Sequence, residues 1–246
     1  MSGHNKWSTI KRKKGALDAK RGKIFSRIVK EIQIAVKESG PILENNPRLR
    51  LAVQNAKGAN MPKDNVDRAI NKATNEGANL QEVSFEGYAP HGIAVFIECL
   101  TDNNQRTVGN IRAIFNKRNG SLGTNGSLAF IFDRKGVFTI PKEGINADEF
   151  ELEIIDAGAE NIEDNDDTFE ITCAVEDFGK LQKKLEELGV KIESAELQRI
   201  PNDTKKLDLD AAQKVLKIID EFEEIDDVQN VYHNLEMTDE LMNSLE

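Results

Sequence analysis

Cysteine, histidine and tryptophan are scarce in this chain of 246 residues, which has two, three and one of them. Cys99 and Cys173 lie far apart, each inside an alternating apolar stretch, ECL and ITCAV. A thiol in such a setting behaves as a small buried hydrophobe, so a disulfide or metal pair is not expected. His4, His91 and His233 fall in different segments with no neighbouring ligand at metal spacing, which argues against a zinc or histidine-based catalytic centre. The longest apolar runs, such as IAVFI and LAFIF, are of strand length and fall far short of the ~20 residues a membrane-crossing helix needs. The first residues lack the apolar core of a secretory signal, so the expected setting is the cytosol. There is no GxxxxGK[ST] phosphate loop, no internal repeat of short period and no low-complexity tract.

What the chain has in quantity is charge, and it is segregated. Residues 1–72 hold 17 Lys and Arg against 6 Asp and Glu, net +11, whereas residues 145–246 hold 9 against 30, net −21. The overall pI near 5.0 therefore conceals a basic head joined to an acidic tail. Such asymmetry points to a polyanionic partner for the head. The tail, repelled by phosphate, is expected to face away from it, serving solubility, a basic protein partner or intramolecular competition for the head.

Periodicity divides the chain. Ile24, Phe25, Ile28, Val29, Ile32, Ala35 and Val36 repeat at helical spacing before the stop Ser39-Gly40-Pro41. A second helix is expected from Asn46-Pro47 and a third from Met61-Pro62 to just before Gly77, which together make a small bundle. VSFEGY, GIAVFIECL and SLAFIF read as strands, with a helix at about 104–119 capped from Thr101-Asp102. VFTIP, a helix at about 147–157, a strand near 159–163, TFEITCAV, the helix EDFGKLQKKLEELG and VKIESAELQRI follow in the order β-α-β-β-α-β of a ferredoxin-like unit. A last helix at about 208–222 and the strand VQNVYHNLEM cannot bury a core alone. The expected fold is α+β: an N-terminal three-helix domain followed by two α/β domains, one ferredoxin-like and inserted into the other. The expected domains are 1–77 (basic, helical), 78–133 with 205–246 (α/β middle) and 134–204 (ferredoxin-like, acidic).

On a helix over 20–36, Lys20, Lys23, Arg27 and Lys30 fall in one arc of ~80° and the apolar residues in another. Arg21 falls in the apolar arc, where its stem could pack while the guanidinium reaches out. Upstream, Lys6, Lys11, Arg12, Lys13 and Lys14 stand among Gly3, Gly15 and Gly22, which permit a flexible arm. Residues 1–30 contain ten basic side chains and one acid, Asp18. Lys and Arg contacts to phosphate supply most nonspecific nucleic-acid affinity through counterion release. Trp7 offers a ring on which an unstacked base could lie, or folds back as a core anchor.

GHNKWSTIKRKKGALDAKRGKIFSRIVKEI, NPRLRLAVQNAKGANMPKDNVDRAI, FEGYAPHGIAVFIECLTDNNQRT and GSLGTNGSLAFIF, in that order, resemble the YebC/PmpR family over essentially the whole chain. The resemblance implies a three-domain fold with a helical head, and a DNA-binding transcriptional regulator. Relatives include a mitochondrial translational activator of cytochrome c oxidase subunit one and bacterial proteins linked to ribosomes stalled on proline runs. The chain departs from the family pattern at Asn5, Arg12 and Pro90-His91-Gly92, where the family often has Pro-Gly-Gly; none of these changes removes a cation.

The other constellations have bland readings beside the functional ones. The Gly-rich stretch of residues 120–127 is a turn, or a cradle of N–H groups for an RNA phosphate. Thr101-Asp102-Asn103-Asn104 with Arg106 is a strand end and helix cap, or a metal-and-phosphate cluster. Glu163, Asp164, Asp166 and Asp167 form a solvated turn, or ligate a hard cation. The chain is thus expected to be a monomeric, non-enzymatic regulator of gene expression that binds DNA or ribosomal RNA, with the ribosome as a further partner. No metal, cofactor, membrane or small-molecule substrate is expected. A metal-dependent nuclease and an acidic protein-interaction adaptor are the alternatives.

Overall fold

A computed structural model of the chain describes residues 17–76, 79–165 and 167–245. The head is three helices, α1 Leu17–Ser39, α2 Pro47–Gly58 and α3 Lys63–Glu76. They enclose a core of Ile32, Ala35, Val36, Leu49, Ala52, Ala56, Val66, Ala69 and Ala73. One buried polar side chain sets the first corner: Asn46 caps α2 by accepting from Leu49 N at 2.9 Å, while its Nδ2 donates to Ala35 O and Gly40 O at 2.7 and 2.8 Å. Pro47 then takes the first helical position, where a missing N–H costs nothing. At the second corner Asn60 adopts a left-handed φ of 55° and Met61 N–H reaches back to Ala56 O at 2.8 Å, closing the helix end. The apolar arc of α1 differs in detail from expectation. Ile24 is exposed and Ile34, outside the expected arc, is buried beside Ala35 and Val36.

Beyond the head come β1 Gln81–Ala89, β2 Ile93–Thr101, α4 Asn104–Lys117 and β3 Ser121–Leu122. The ferredoxin-like unit follows as β4 Phe132–Pro141, α5 Ala147–Asp156, β5 Ala159–Asp164, β6 Thr168–Ala174, α6 Phe178–Glu187 and β7 Ser194–Pro201. The chain ends in α7 Leu209–Glu223, β8 Val228–His233 and the short α8 Asp239–Asn243. Two four-stranded sheets result, in the orders β3-β1-β2-β8 and β5-β6-β4-β7. The second order is that of a ferredoxin-like sheet. The first is completed only by β8, which pairs antiparallel with β2, so the ferredoxin-like unit is inserted into the middle domain. The chain forms two compact units, one built on residues 79–133 and 200–245 with α1 up to Lys23, the other on residues 24–76 and 134–199.

In the middle domain, Ile93, Val95 and Ile97 of β2 and Ile111, Phe115, Val215, Ile219 and Phe222 of α4 and α7 form the principal core. Each such side chain contributes about 1.5–3 kcal/mol when fully buried. Gly87 in β1 is required by packing: a Cβ there would stand 2.5 Å from Ser121 O and 2.7 Å from the Phe115 ring. The ferredoxin-like core is centred on Phe138, Ile140, Ile154, Ile171, Leu181 and Leu185. Cys99 and Cys173 are both buried, as their apolar strands led one to expect.

SLAFIF is not a strand. Residues 125–131 turn, Leu128 is buried, Phe130 is exposed, and the strand starts only at Phe132. The cause is Glu86 on β1, itself buried. Its carboxylate accepts from Gly126 N at 2.7 Å, Leu128 N at 2.6 Å and Ser127 Oγ at 3.3 Å, and its carbonyl accepts from Gly123 N at 2.7 Å. Backbone donors pledged to a carboxylate cannot join a sheet ladder.

Candidate nucleic-acid interface

The Asn46 corner and Arg48 hold the C-terminal part of α1 against α2. Glu31 and Glu38, the acids of α1 beyond its first turn, both pair with Arg48, at 2.7 and 2.8 Å. Those two acids are thereby turned toward α2, and the cations of the helix are left without neutralisation from them. Arg21 is exposed rather than packed in the apolar arc. Lys23, Arg27 and Lys30 are half-buried, and Arg27 and Lys30 are each engaged with neighbours. Lys23 Nζ lies 3.0 Å from Glu224 Oε1, an exposed carboxylate just past α7. Lys20 has its backbone in the first turn of α1. Lys6, Trp7, Lys11, Arg12, Lys13 and Lys14 lie outside the described residues.

The rest of the head carries little net charge. In α3, Lys63, Arg68 and Lys72 are matched by Asp64, Asp67 and Glu76, with Lys72 and Glu76 4.0 Å apart. Thus α2 and α3, though joined by a four-residue turn, do not present a cationic second helix to a DNA groove. Helix α2 is instead committed to the ferredoxin-like domain. The Asn55 amide pairs with both backbone groups of Ala195, each at 3.0 Å, and Gln182 donates to Gln54 at 2.8 Å. Gly58 lies so close that a Cβ would stand 1.9 Å from Glu193 O.

The remaining sequence candidates resolve into structure. The N–H groups of Gly126 and Leu128 in the Gly-rich segment are taken by Glu86, so those two donors are not offered to a phosphate. Asn103 caps α4 by accepting from Arg106 N at 3.1 Å. Arg106 bridges Asp102 at 2.7 Å and the buried Asp227 at 2.9 Å, and Thr107 Oγ1 donates to Asp227 at 2.8 Å. The hydrogen bond and charge of Arg106 hold the Asp102 carboxyl below the usual carboxylate range. This is a structural tie between β2, α4 and the approach to β8. Asp164 pairs with Lys142, and among the described residues no three His, Cys, Asp or Glu side chains are placed to hold a metal ion. No helix among them is long and apolar enough to cross a membrane.

Lys214 and Lys217, which sequence reading passed over, line a cleft in the middle domain with Lys117 and Arg118. Their signal was available, since they are the two cations of residues 207–246 and stand three apart on a helix.

Two family profiles match the chain. One, described as the TACO1/YebC protein N-terminal domain, covers residues 5–76, and the other, the TACO1/YebC second and third domain, covers residues 80–235. A "probable transcriptional regulatory protein" of Amoebophilus asiaticus is 51% identical over 239 residues, covering 96% of this chain and 98% of that one. One of the same description from Rubrobacter xylanophilus is 47% identical, covering 98% of each chain. The crystal structure of a conserved hypothetical protein from Aquifex aeolicus superposes with a TM-score of 0.83 at 40% identity, covering 91% of this chain and 93% of that one.

Proposed function

Because the chain belongs to the TACO1/YebC family, we propose that it is a non-enzymatic regulator of gene expression that holds nucleic acid through its basic head. The observation that carries this reading is the concentration of ten cations against one acid in residues 1–30. The name borne by its relatives, probable transcriptional regulatory protein, agrees with nucleic acid as the partner. Phosphate contacts fall to Lys13, Lys14, Lys20, Arg21, Lys23, Arg27 and Lys30, with Lys6, Lys11 and Arg12 along the same segment and Trp7 as a stacking ring.

Two forms of this function differ in target: transcriptional regulation on DNA, and action on RNA as a ribosome-associated translation factor that relieves stalling. The charge balance of α3 favours the second, since a groove-reading helix is expected to bring cations to the duplex and this one brings none in excess. UV crosslinking in growing cells, followed by sequencing of the attached RNA and DNA, decides the matter. Enrichment at a defined ribosomal RNA region supports the translation factor. Promoter DNA without ribosomal RNA restores the transcriptional form, and neither nucleic acid overturns the reading. Incubation of the purified chain with RNA or DNA and Mg²⁺ or Mn²⁺ tests the nuclease alternative; intact substrate is expected.

A further inference from the structure

A cleft of about 610 Å³ opens in the middle domain between the end of α4, the Pro90–Gly92 turn and one side of α7. Two of its charges cancel: Arg118 Nε donates to Glu221 at 3.1 Å, and its Nη2 makes a second, shorter contact to the same carboxylate. Lys117, Lys214 and Lys217, all exposed, then face a single remaining acid in the lining, Asp220.

The placement of these lysines is unusual for their surroundings. Residues 207–246 contain twelve acids and two lysines, and both lysines line this cleft. Lysines that served only to balance a helix surface would pair with acids one turn away. Glu221, one turn beyond Lys217, turns instead to Arg118, and neither Lys214 nor Lys217 forms an ion pair among the described residues. Lys117 is brought to them from the last turn of α4, about a hundred residues earlier in the chain.

The backbone at the rim is also held in uncommon conformations. His91 has φ 63° and ψ 13°, a left-handed setting that residues with a Cβ rarely adopt. Asn119, also in the lining, has φ 57°. Lys205 Nζ reaches the same turn, only 3.3 Å from where a Cβ on Gly92 would stand.

We propose that this cleft is a second phosphate-binding site, which takes the sugar-phosphate backbone of a nucleic acid strand on Lys117, Lys214 and Lys217. The choice of ligand rests on the nucleic-acid reading above, while the site itself does not depend on the head. Lysines on flexible stems act as point charges, a chemistry that follows a strand without reading its bases.

The test is lysine acetylation footprinting of the full chain with and without a mixed-sequence single-stranded RNA of twenty nucleotides. Several-fold protection is expected at Lys117, Lys214 and Lys217, with none at the exposed Lys183 and Lys191 of the ferredoxin-like domain. Protection confined to the head overturns the cleft and leaves the proposed function standing; protection confined to the cleft does the reverse. Protection nowhere overturns both. If ATP protects these lysines and RNA does not, the site belongs to a free nucleotide and the strand assignment is wrong. In the triple variant Lys117→Gln, Lys214→Gln, Lys217→Gln, the slope of log affinity against log salt should fall by about 2, at ~0.7 per phosphate contact on a single strand. An unchanged slope overturns the proposal.

Discussion

Glu86 shows what one carboxylate can organise. Its two oxygens accept from two backbone N–H groups and a hydroxyl some forty residues ahead, which ties the loop after β3 to β1. Glu86→Gln keeps the shape but replaces an acceptor by an amide N–H facing donors. The expected cost is about 1–3 kcal/mol, read as a lower urea midpoint with an unchanged slope. The sequence could not reveal this residue, since FEGY reads as an ordinary strand and the donors that require the acid lie far along the chain. Cys173 was legible as buried, and its chemistry follows from that. Burial first, then Asp177 and Glu160, push the thiol up to about 11, so at pH 8 the reactive thiolate is a small minority. Iodoacetamide should label Cys173 far more slowly in the native chain than in urea, as measured by mass spectrometry of its peptide. The carboxyls of Asp102 and Glu221 are shifted the other way, lowered chiefly by hydrogen bonds from Arg106 and Arg118. Their contribution to stability is present above the ordinary carboxylate range and is lost as pH falls through the folded-state values.

Among the elements, the helices were the most readable, because their ends carry chemistry in the sequence itself. Asn46-Pro47 caps the helix it opens as expected, the cap of α4 is Asn103 rather than the expected Thr101-Asp102, Asp208 caps α7 where that helix was expected to start, and the β-α-β-β-α-β order of the inserted unit follows from alternating periods. SLAFIF misled because an apolar run of that length suits a strand, while the Glu86 clamp and the left-handed Gly126 that bend it are tertiary facts. The docking of α2 on the ferredoxin-like domain was likewise unreadable, being made by an Asn and a Gly whose partners stand about 140 residues away. It is sharply testable. Gly58→Ala forces its methyl into the Glu193 carbonyl, a backbone atom that cannot step aside as a side chain can. A loss of about 2 kcal/mol or more is expected, with faster amide exchange in α2 and β7 than in the middle domain. Near-native exchange would show that the two elements separate at little cost.

For the molecule as a whole, the segregation of charge was legible from the first count, and it dictates how binding should respond to salt. If the head and its preceding cations make six to ten phosphate contacts, affinity should fall ~10³–10⁵-fold between 50 and 200 mM salt. Fluorescence anisotropy with a labelled RNA across that range measures the slope directly, and indifference to salt would favour the acidic adaptor. Which of the head's cations reach the ligand was not legible, since Arg48 spends its charge on Glu31 and Glu38 and Lys23 meets Glu224.

The insertion of one domain into another also has a consequence for biosynthesis. Strand β2 emerges with Ile93, Val95 and Ile97 ready for burial, but its neighbour β8 is encoded some 130 residues later. At about 5–20 residues per second, the growing chain carries an unfinished middle sheet for on the order of ten seconds while the ferredoxin-like unit is made between its halves. A polypeptide cut short before Val228 therefore leaves an apolar strand edge bare, and is marked for chaperones and proteases however well its inserted domain has folded.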